Sequence, residues 1–234
     1  MTRAVAPPAH LASARRRALA AAVAAGDGHA VDAFWAVVER VGTPLVEPCS
    51  DPGRRLVTFL WRDPGDTRDV VVVGGPTCWD RYGDDRMKLL PGTDVWYRSY
   101  RTGATLAASY RLSPNDSLVP PDQVTDWDAR EVTFRSDPLN RHPLEWPADP
   151  ADPMSSPGAV SWMALPDAPD GTILGARRGI ARGRLTEHAV PSAVLGAQRR
   201  VWVHVPPVPP TGLLVLLDGQ VWAMSFPVCA LLDN

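Results

Sequence analysis

The hydrophobic pattern near the N-terminus predicts two helices. Residues 11–25 are rich in Ala, Leu and Arg, which favour helix, and Gly26 ends the run. In the next segment apolar residues recur at i, i+3, i+4, i+7 and i+10, which places them on one helix face. These residues are Val31, Phe34, Trp35, Val38 and Val41. Gly42 ends this second helix and Pro44 prevents its continuation.

From residue 54 the pattern becomes that of short strands. Four runs, most of them rich in β-branched and aromatic residues, are separated by turns that contain Pro and Gly. They are residues 56–61, 70–73, 94–100 and 105–112. This spacing predicts a mainly β fold, an antiparallel immunoglobulin-like β-sandwich preceded by an N-terminal helical segment.

A long segment without periodicity follows the strands. Residues 113–158 are dense in Pro and Asp, but Trp127, Phe134 and Trp146 provide apolar anchors. We therefore expect a long ordered loop packed on the sandwich rather than a disordered linker, since ordered loops of this length are usually functional.

The C-terminal region carries two further strand patterns. Residues 199–207 read as a strand that leads into a Pro-rich turn, and residues 212–222 read as a fully buried strand that opens into a loop. An esterase-type α/β sheet begins with a strand, a turn and an apolar strand that ends at Asp-Gly. Three domains are expected: an N-terminal helical segment (1–45), the immunoglobulin-like domain (46–190) and the start of a truncated α/β-hydrolase domain (191–234).

Net charge and cysteine usage limit the partners of the chain. A net charge of −2 gives no general attraction to nucleic acid or to an anionic membrane, so neither is expected as a partner. No segment approaches the ~20 apolar residues that span a bilayer. Cys49, Cys78 and Cys229 are odd in number, far apart and without zinc-ligand spacing, which argues against a secreted disulfide framework. We therefore expect a cytoplasmic protein.

Six short motifs follow one another in a defined order. They are residues 57–64, 92–96, 110–112, 137–140, 200–203 and 216–222. In this order and at this spacing the chain resembles the enterochelin esterases, bacterial enzymes that hydrolyse ferric catecholate siderophores so that iron can be released. The resemblance covers roughly residues 30 to 234. It implies an immunoglobulin-like N-terminal domain followed by an α/β-hydrolase domain.

The chain departs from this family in its catalytic residues. Family members continue to a Gly-x-Ser-x-Gly nucleophile turn, and the present sequence contains no such pattern. Ser225 is the one serine beyond Ser192, and its neighbours Met224 and Phe226 are not the glycines that a nucleophile turn requires. No catalytic residue is assigned, so the chain alone is expected to be inactive, and whether it is an enzyme stays open.

Part of an oxyanion hole is nevertheless expected. In α/β-hydrolases one donor is a backbone N–H in the loop after an early strand. Asp218, Gly219 and Gln220 occupy that place, and Gly219 would let the backbone approach a ligand closely. The alternative is a plain strand-to-helix turn.

Substrate recognition is expected to depend on arginine and tryptophan. The five histidines have no metal-ligand spacing, so no protein-bound metal and no cofactor are expected, and the iron is carried by the siderophore. A ferric tris-catecholate is anionic and has flat rings, which favours guanidinium and indole partners. The candidate substrate-binding residues are Arg130, Arg135, Arg177, Arg178, Arg182 and Trp222. The alternative is that these arginines only solubilise loops and that most of the nine Trp lie in the core.

Two functions from different classes are compatible with these residues. The first is the N-terminal portion of a siderophore esterase, whose partners are the ferric siderophore and a separate or downstream α/β-hydrolase segment. The second is a non-catalytic immunoglobulin-like module that binds carbohydrate or siderophore. Residues 200–222 favour the first, because a carbohydrate module has no use for hydrolase-type strands. A third possibility is a truncated or split gene product without activity.

Overall fold

The computed structural model describes residues 13–77, 79–150, 156–169, 177–226 and 228–234 of the 234-residue chain. These residues fall into two units. Unit 1 comprises Met1–Leu144 and Ala159–Ala168, and unit 2 comprises Glu145–Gly158 and Pro169–Asn234.

Two helices form at the N-terminal end of unit 1, as the composition of the first segment and the apolar pattern of the second predict. Helix α1 spans Ala14–Ala24 and helix α2 spans Ala30–Val41. The hydroxyl oxygen of Ser13 caps α1 by accepting a hydrogen bond from the N–H of Arg16 (3.2 Å). Helix α2 ends at Gly42, whose φ of 81° carries no steric cost for glycine.

Eight strands build two four-stranded sheets. They are β1 Leu45–Pro48, β2 Arg54–Arg62, β3 Val70–Gly74, β4 Lys88–Leu89, β5 Val95–Gly103, β6 Ala107–Pro114, β7 Pro143–Trp146 and β8 Gly158–Ala164. The first sheet has the order β1-β2-β5-β4 and the second the order β3-β6-β8-β7. All pairs within the first sheet, and the β3–β6 and β6–β8 pairs of the second, are antiparallel.

The apolar core of unit 1 lies between these sheets. Val57 and Phe59 of β2 pack in one cluster with Tyr110 and Leu112 of β6. The rings of Phe59 and Tyr110 meet edge-on, with their centroids 4.7 Å apart. The predicted mainly β fold with antiparallel sheets is therefore confirmed, and the four predicted strand runs correspond to β2, β3, β5 and β6.

A second apolar cluster covers the other face of the first sheet. Trp35 and Val38 of α2 pack against Leu60 of β2 and Val95 of β5. Strand β2 is consequently buried on both faces, which explains why it reads as an almost continuous apolar run. Unit 1 thus consists of a helical layer and two sheets.

The segment predicted as a long ordered loop contains regular structure. Helix α3 spans Trp127–Glu131, and β7 follows it. Trp127, which was expected to anchor the segment, is exposed, whereas Phe134 is half-buried. The buried contacts of its aspartates are polar: the Asp116 and Asp137 carboxylates accept hydrogen bonds from Ser113 and Tyr110 of β6, and the backbone N–H of Asp137 donates to Oγ of Ser161 on β8. Residues 151–155 lie outside the described residues.

Unit 2 is built on one hairpin. Strands β9 Arg184–Ser192 and β10 Ala197–Val205 pair antiparallel over nine positions, from Ala197 opposite Ser192 to Val205 opposite Arg184. The predicted strand at residues 199–205 is confirmed by β10. Helix α4 spans Val228–Asp233.

The second predicted C-terminal strand is wrong. Residues 213–216 have no regular structure, and Leu213 and Leu217 are 90% and 80% exposed. A strand buried on both faces belongs to a sheet that has a packed layer on each face. In the described part of unit 2 the hairpin forms a two-stranded sheet that does not include this segment.

Among the described residues, none of the helices has both the length and the apolar character that a membrane span requires.

Candidate functional site

Two of the six sequence motifs meet in a buried polar network in unit 1. The Tyr110 hydroxyl donates a hydrogen bond to Asp137 (2.8 Å), and the Asn140 side-chain amide donates to the carbonyl oxygens of Thr43 (2.9 Å) and Trp162 (3.0 Å). Burial raises the pKa of the Asp137 carboxyl, and burial together with this carboxyl raises the pKa of Tyr110. The two motifs therefore connect the segment after α3 to the second sheet.

Two further motifs meet at the end of the first sheet. The indole N–H of Trp96 donates to Asp63 (3.3 Å), and the backbone N–H of Asp63 donates to the carbonyl of Asp94 (2.8 Å). Burial alone would raise the pKa of Asp63, but hydrogen bonds from Gly65, Trp96 and Thr67 outweigh burial and lower it. These motifs also have a structural role.

Arg130, a predicted substrate-binding residue, lies in the interior of unit 1. Its guanidinium forms an ion pair with Asp116 (3.2 Å), and the two side chains are 2% and 0% exposed. It also donates to the carbonyl of Val119 (2.6 Å) and lies 4.4 Å from the centroid of the Tyr82 ring. Burial and the Asp116 carboxylate raise the pKa of Tyr82. The terminal guanidinium nitrogens of Arg130 are paired inside the protein, whereas its buried Nε has no hydrogen-bond partner, and this buried placement indicates a structural role.

Arg135 lies on the surface of unit 1. Its backbone exchanges two hydrogen bonds with Leu112 of β6 (2.9 and 2.7 Å), and its guanidinium donates to the carbonyl of Val132. The residue is exposed, so its remaining donors face solvent. Arg130 and Arg135 therefore differ in accessibility although they are neighbours in sequence.

The other candidate arginines belong to unit 2. Arg177, Arg178 and Arg182 are exposed and precede β9. The Arg182 guanidinium donates to the carbonyl of Arg177 (3.1 Å), which brings the two residues together. Arg182 also lines an open groove of about 460 Å³ along one face of the hairpin. The structure thus brings together the predicted cationic cluster of unit 2.

The expected oxyanion loop forms a tight turn in unit 2. Asp218 has a φ of 57°, and its carbonyl accepts a hydrogen bond from the N–H of Val221 (2.9 Å). A Cβ on Gly219 would lie 3.1 Å from Cε3 of Trp202. The close approach that glycine permits here is to this indole, and the oxyanion role of Asp218, Gly219 and Gln220 stays a prediction.

A cleft of about 590 Å³ lies beside this loop. Its walls include Gly219, Trp222, Trp202, His204 and Cys229. The exposed ring of Trp222 lies 5.4 Å from that of Phe226 at an interplanar angle of 41°. The cleft therefore offers the aromatic surface that was expected around Trp222.

His204, which lines this cleft, forms a pair with Asp233 that was not expected from the sequence. Nε2 of His204 lies 2.9 Å from Oδ1 of Asp233, whose other oxygen accepts the N–H of Gly183 (2.9 Å). The Gly183 N–H and the imidazole lower the pKa of Asp233. The partners are 29 positions apart, so local spacing gives no signal. Burial and Asp233 raise the pKa of Cys229, which disfavours a reactive thiolate.

Neither a nucleophile nor a metal centre is assigned in these residues. Ser225 ends the π-helical turn Val221–Ser225, and its side chain lies outside the described part of the structure. Among the described residues, no group of three His, Cys, Asp or Glu side chains is arranged to hold a metal ion. The arrangement offers a cationic cluster, an aromatic cleft and an oriented imidazole, which suit ligand binding.

The chain is similar to known siderophore esterases over most of its length. It is 33% identical to an iron(III) enterobactin esterase of Dickeya dadantii over 225 residues, which cover 86% of this chain and 50% of that protein. It is 28% identical to an iron(III) salmochelin esterase of Escherichia coli, with coverage of 97% and 53%. The crystal structure of a ferric enterobactin esterase from Salmonella typhimurium matches with a TM-score of 0.53 and 28% identity, covering 86% of this chain and 54% of that one. The chain thus spans about half the length of these relatives.

The profile of the enterochelin esterase N-terminal family matches residues 56–173. This region contains the motifs that meet in unit 1. The resemblance drawn from the six motifs is confirmed, and the chain belongs to the enterochelin esterase N-terminal family.

Proposed function

We propose that this chain is the N-terminal portion of an esterase that hydrolyses ferric catecholate siderophores and releases their iron in the cytoplasm. The observation that carries the proposal is the 33% identity to a named enterobactin esterase over 86% of the chain. The antiparallel sheets and shared core of unit 1 support an immunoglobulin-like sandwich within residues 46–190. The α/β-hydrolase domain begins, on this proposal, within residues 191–234.

Ester hydrolysis requires groups that are not assigned in this chain. A nucleophile, a general base and donors aimed at the oxyanion must converge on the substrate carbonyl. In this proposal the Ser, His and Asp come from the hydrolase segment, and the present chain supplies a backbone N–H from Asp218, Gly219 or Gln220. The compact turn at Asp218, whose φ is 57°, supports such a role.

Substrate binding is assigned to the cationic cluster and the aromatic cleft of unit 2. The catecholates hold the iron, so no metal ligand or cofactor is needed from the protein. The complex is anionic and its rings are flat, which suits the exposed guanidiniums of Arg177, Arg178 and Arg182 and the indole of Trp222. Arg135 is retained as a surface candidate, and Arg130 is left out because it is buried in its ion pair.

Equilibrium dialysis with ferric enterobactin tests this proposal. Two exposed charge pairs at about 0.2–1 kcal/mol each imply that the Arg177→Ala/Arg178→Ala variant raises Kd about two- to thirty-fold. Binding should also weaken with salt, because the screening length falls from about 10 Å at 0.1 M to about 3 Å at 1 M.

Exposed arginines of unit 1 provide the matched control. The Arg68→Ala/Arg101→Ala variant removes the same charge and should leave Kd unchanged. Binding that does not depend on salt, or equal losses in the two double variants, would remove the site from the Arg177–Arg182 cluster.

A further inference from the structure

The loop that is proposed to donate to the oxyanion lies against one side chain of the hairpin. A Cβ on Gly219 would stand 3.1 Å from Cε3 and 3.4 Å from Cζ3 of Trp202. Both atoms belong to the six-membered ring of the indole, and ordinary carbon–carbon contacts begin at about 3.5 Å. The backbone at Gly219 is therefore packed directly on this ring, in a contact that leaves no room for a Cβ.

The turn before this contact has an uncommon backbone conformation. Asp218 has a φ of 57°, in the left-handed region that residues with a Cβ rarely adopt. Its carbonyl accepts a hydrogen bond from the N–H of Val221 (2.9 Å), which closes the turn. Such conformations cost free energy and persist where surrounding contacts fix them. The contact of Gly219 with Trp202 is one that fixes this turn to the hairpin.

Trp202 is itself held by Arg200, two positions earlier on the same face of β10. The Arg200 guanidinium lies 4.6 Å from the centroid of the Trp202 ring. It donates to both carboxylate oxygens of Glu187 (2.7 and 2.9 Å) and forms an ion pair with the buried Asp149. A planar guanidinium that is paired bidentately has a fixed orientation, so it supports the indole in one position.

The register of the hairpin brings these partners together. Glu187 lies directly opposite Trp202 in the β9–β10 ladder. Hydrogen bonds from Arg200 lower the pKa of the Glu187 carboxyl, so the carboxylate stays ionised at neutral pH. The contacts thus form a continuous series, from Asp149 and Glu187 through Arg200 to Trp202 and then to the loop at Gly219.

We propose that Trp202, held by Arg200, is a positioning residue that keeps the backbone N–H groups of residues 218–220 in the orientation that stabilises the oxyanion. The inference rests on the proposed function. Oxyanion donors accelerate a reaction because they are ordered before charge develops on the substrate, so a loop that moves loses part of this effect. Trp202 acts through the loop and not on the substrate, which predicts an effect on kcat rather than on KM.

A direct role of Trp202 in ligand binding is the main alternative. Trp202 lines the cleft of about 590 Å³ together with Trp222, and an indole in this place suits stacking on a flat ring. Loss of a stacking residue weakens binding of the substrate and of the transition state alike, which raises KM. Loss of a positioning residue lowers kcat instead. The two roles therefore have different kinetic signatures.

Nuclear magnetic resonance of the whole chain tests the contact without any activity. In the unsubstituted chain the Gly219 Hα protons should show nuclear Overhauser effects to the Trp202 ring, and the Gly219 amide should have an order parameter of about 0.85. Trp202→Leu keeps an apolar side chain but removes the ring, and should lower this value below about 0.6. Trp202→Phe keeps a flat ring and should restore most of the rigidity. Trp127→Leu is the matched control, because Trp127 is an exposed tryptophan of unit 1, and it should leave Gly219 unchanged.

The kinetic test uses this chain fused to the portion of the Dickeya dadantii esterase that lies outside the match, with ferric enterobactin as the substrate. Trp202→Leu should lower kcat about ten- to hundredfold, because the donors are displaced rather than removed, and should leave KM within about twofold. Trp202→Phe should regain most of kcat, and Trp127→Leu should change neither constant.

Three results would overturn the inference. The first is a mobile Gly219 amide without contacts to the Trp202 ring in the unsubstituted chain, which decides the matter even if Trp202→Leu does not fold. The second is an equally rigid Gly219 amide in a folded Trp202→Leu variant. The third is an active fusion in which Trp202→Leu leaves kcat unchanged, whatever its effect on KM. A fusion without activity, combined with a Gly219 amide whose rigidity depends on Trp202, contradicts only the proposed function.

Discussion

Removal of the Arg130 side chain tests whether this residue stabilises the fold or binds substrate. Arg130→Met keeps the aliphatic part of the side chain and removes the charge, which leaves the fully buried Asp116 carboxylate without its ion-pair partner. Removing one partner of a buried pair costs about 3–5 kcal/mol. The carbonyl of Val119 also loses a donor, which adds about 1 kcal/mol. We therefore expect the free energy of unfolding to fall by about 4–6 kcal/mol.

Urea unfolding at pH 7, followed by tryptophan fluorescence, measures this loss. Arg68→Met is the matched control, because Arg68 is exposed, and it should change the free energy of unfolding by less than about 0.5 kcal/mol. The Asp116→Asn/Arg130→Met double variant should regain part of the loss. The side-chain amide oxygen introduced at position 116 still accepts hydrogen bonds from the hydroxyls of Tyr82 and Ser113, and no unpaired charge remains.

The outcome separates the two roles even if Arg130→Met does not fold, because the double variant then shows whether the unpaired charge is the cause. A stability loss below about 1 kcal/mol, typical of a surface substitution, would refute the reasoning. An Arg130→Met variant with unchanged stability and reduced affinity for ferric enterobactin would also refute it, and Arg130 would again be a candidate substrate-binding residue.

Two further predictions concern unit 1. Gly74→Ala should lower the free energy of unfolding more than Gly26→Ala. Both glycines have φ near 80°, but only the new Cβ at Gly74 would meet a backbone atom, the carbonyl oxygen of Ser109 at 2.9 Å. Equal losses of stability in urea unfolding would contradict this contact. Asp63→Asn should reduce the loss of stability at acid pH. Folding lowers the pKa of the Asp63 carboxyl, so this group stabilises the protein above its unfolded pKa of about 3.9. The contribution is lost as the pH falls through the folded pKa. Urea midpoints between about pH 2 and 6 measure the effect, and parallel curves for the two proteins would contradict it.

Two helices and four strands of unit 1 follow from local patterns. The helical stripe around Trp35 and the alternating or continuous apolar runs of β2 and β6 each contain enough information to predict the element. Residues 213–217 show where this reasoning fails, since a short apolar run predicts a buried strand but says nothing about whether neighbouring strands are present.

Four of the six family motifs contain residues that contact one another. Tyr110 meets Asp137 and Trp96 meets Asp63, so the spacing of these four motifs reflects packing within unit 1. Such long-range pairs cannot be derived from one sequence.

The polar contacts of the candidate residues also depend on the fold. Arg130 is charged and lies in a segment rich in Asp and Pro, which predicts exposure, yet the fold buries it beside Asp116. The pair of His204 and Asp233 was missed because its partners come from β10 and α4. The exposed Arg177–Arg182 cluster, by contrast, was predictable from its density of arginine and glycine.

Siderophore hydrolysis by a fusion protein tests the central claim most directly. This chain is joined to the portion of the Dickeya dadantii esterase that lies outside the match, and the products formed from ferric enterobactin are separated by chromatography. If the chain is the N-terminal portion of a siderophore esterase, the fusion hydrolyses ferric enterobactin much faster than the isolated Dickeya dadantii portion, and Arg177→Ala/Arg178→Ala in the fusion raises KM. A folded fusion that is no faster than the isolated portion would contradict the account.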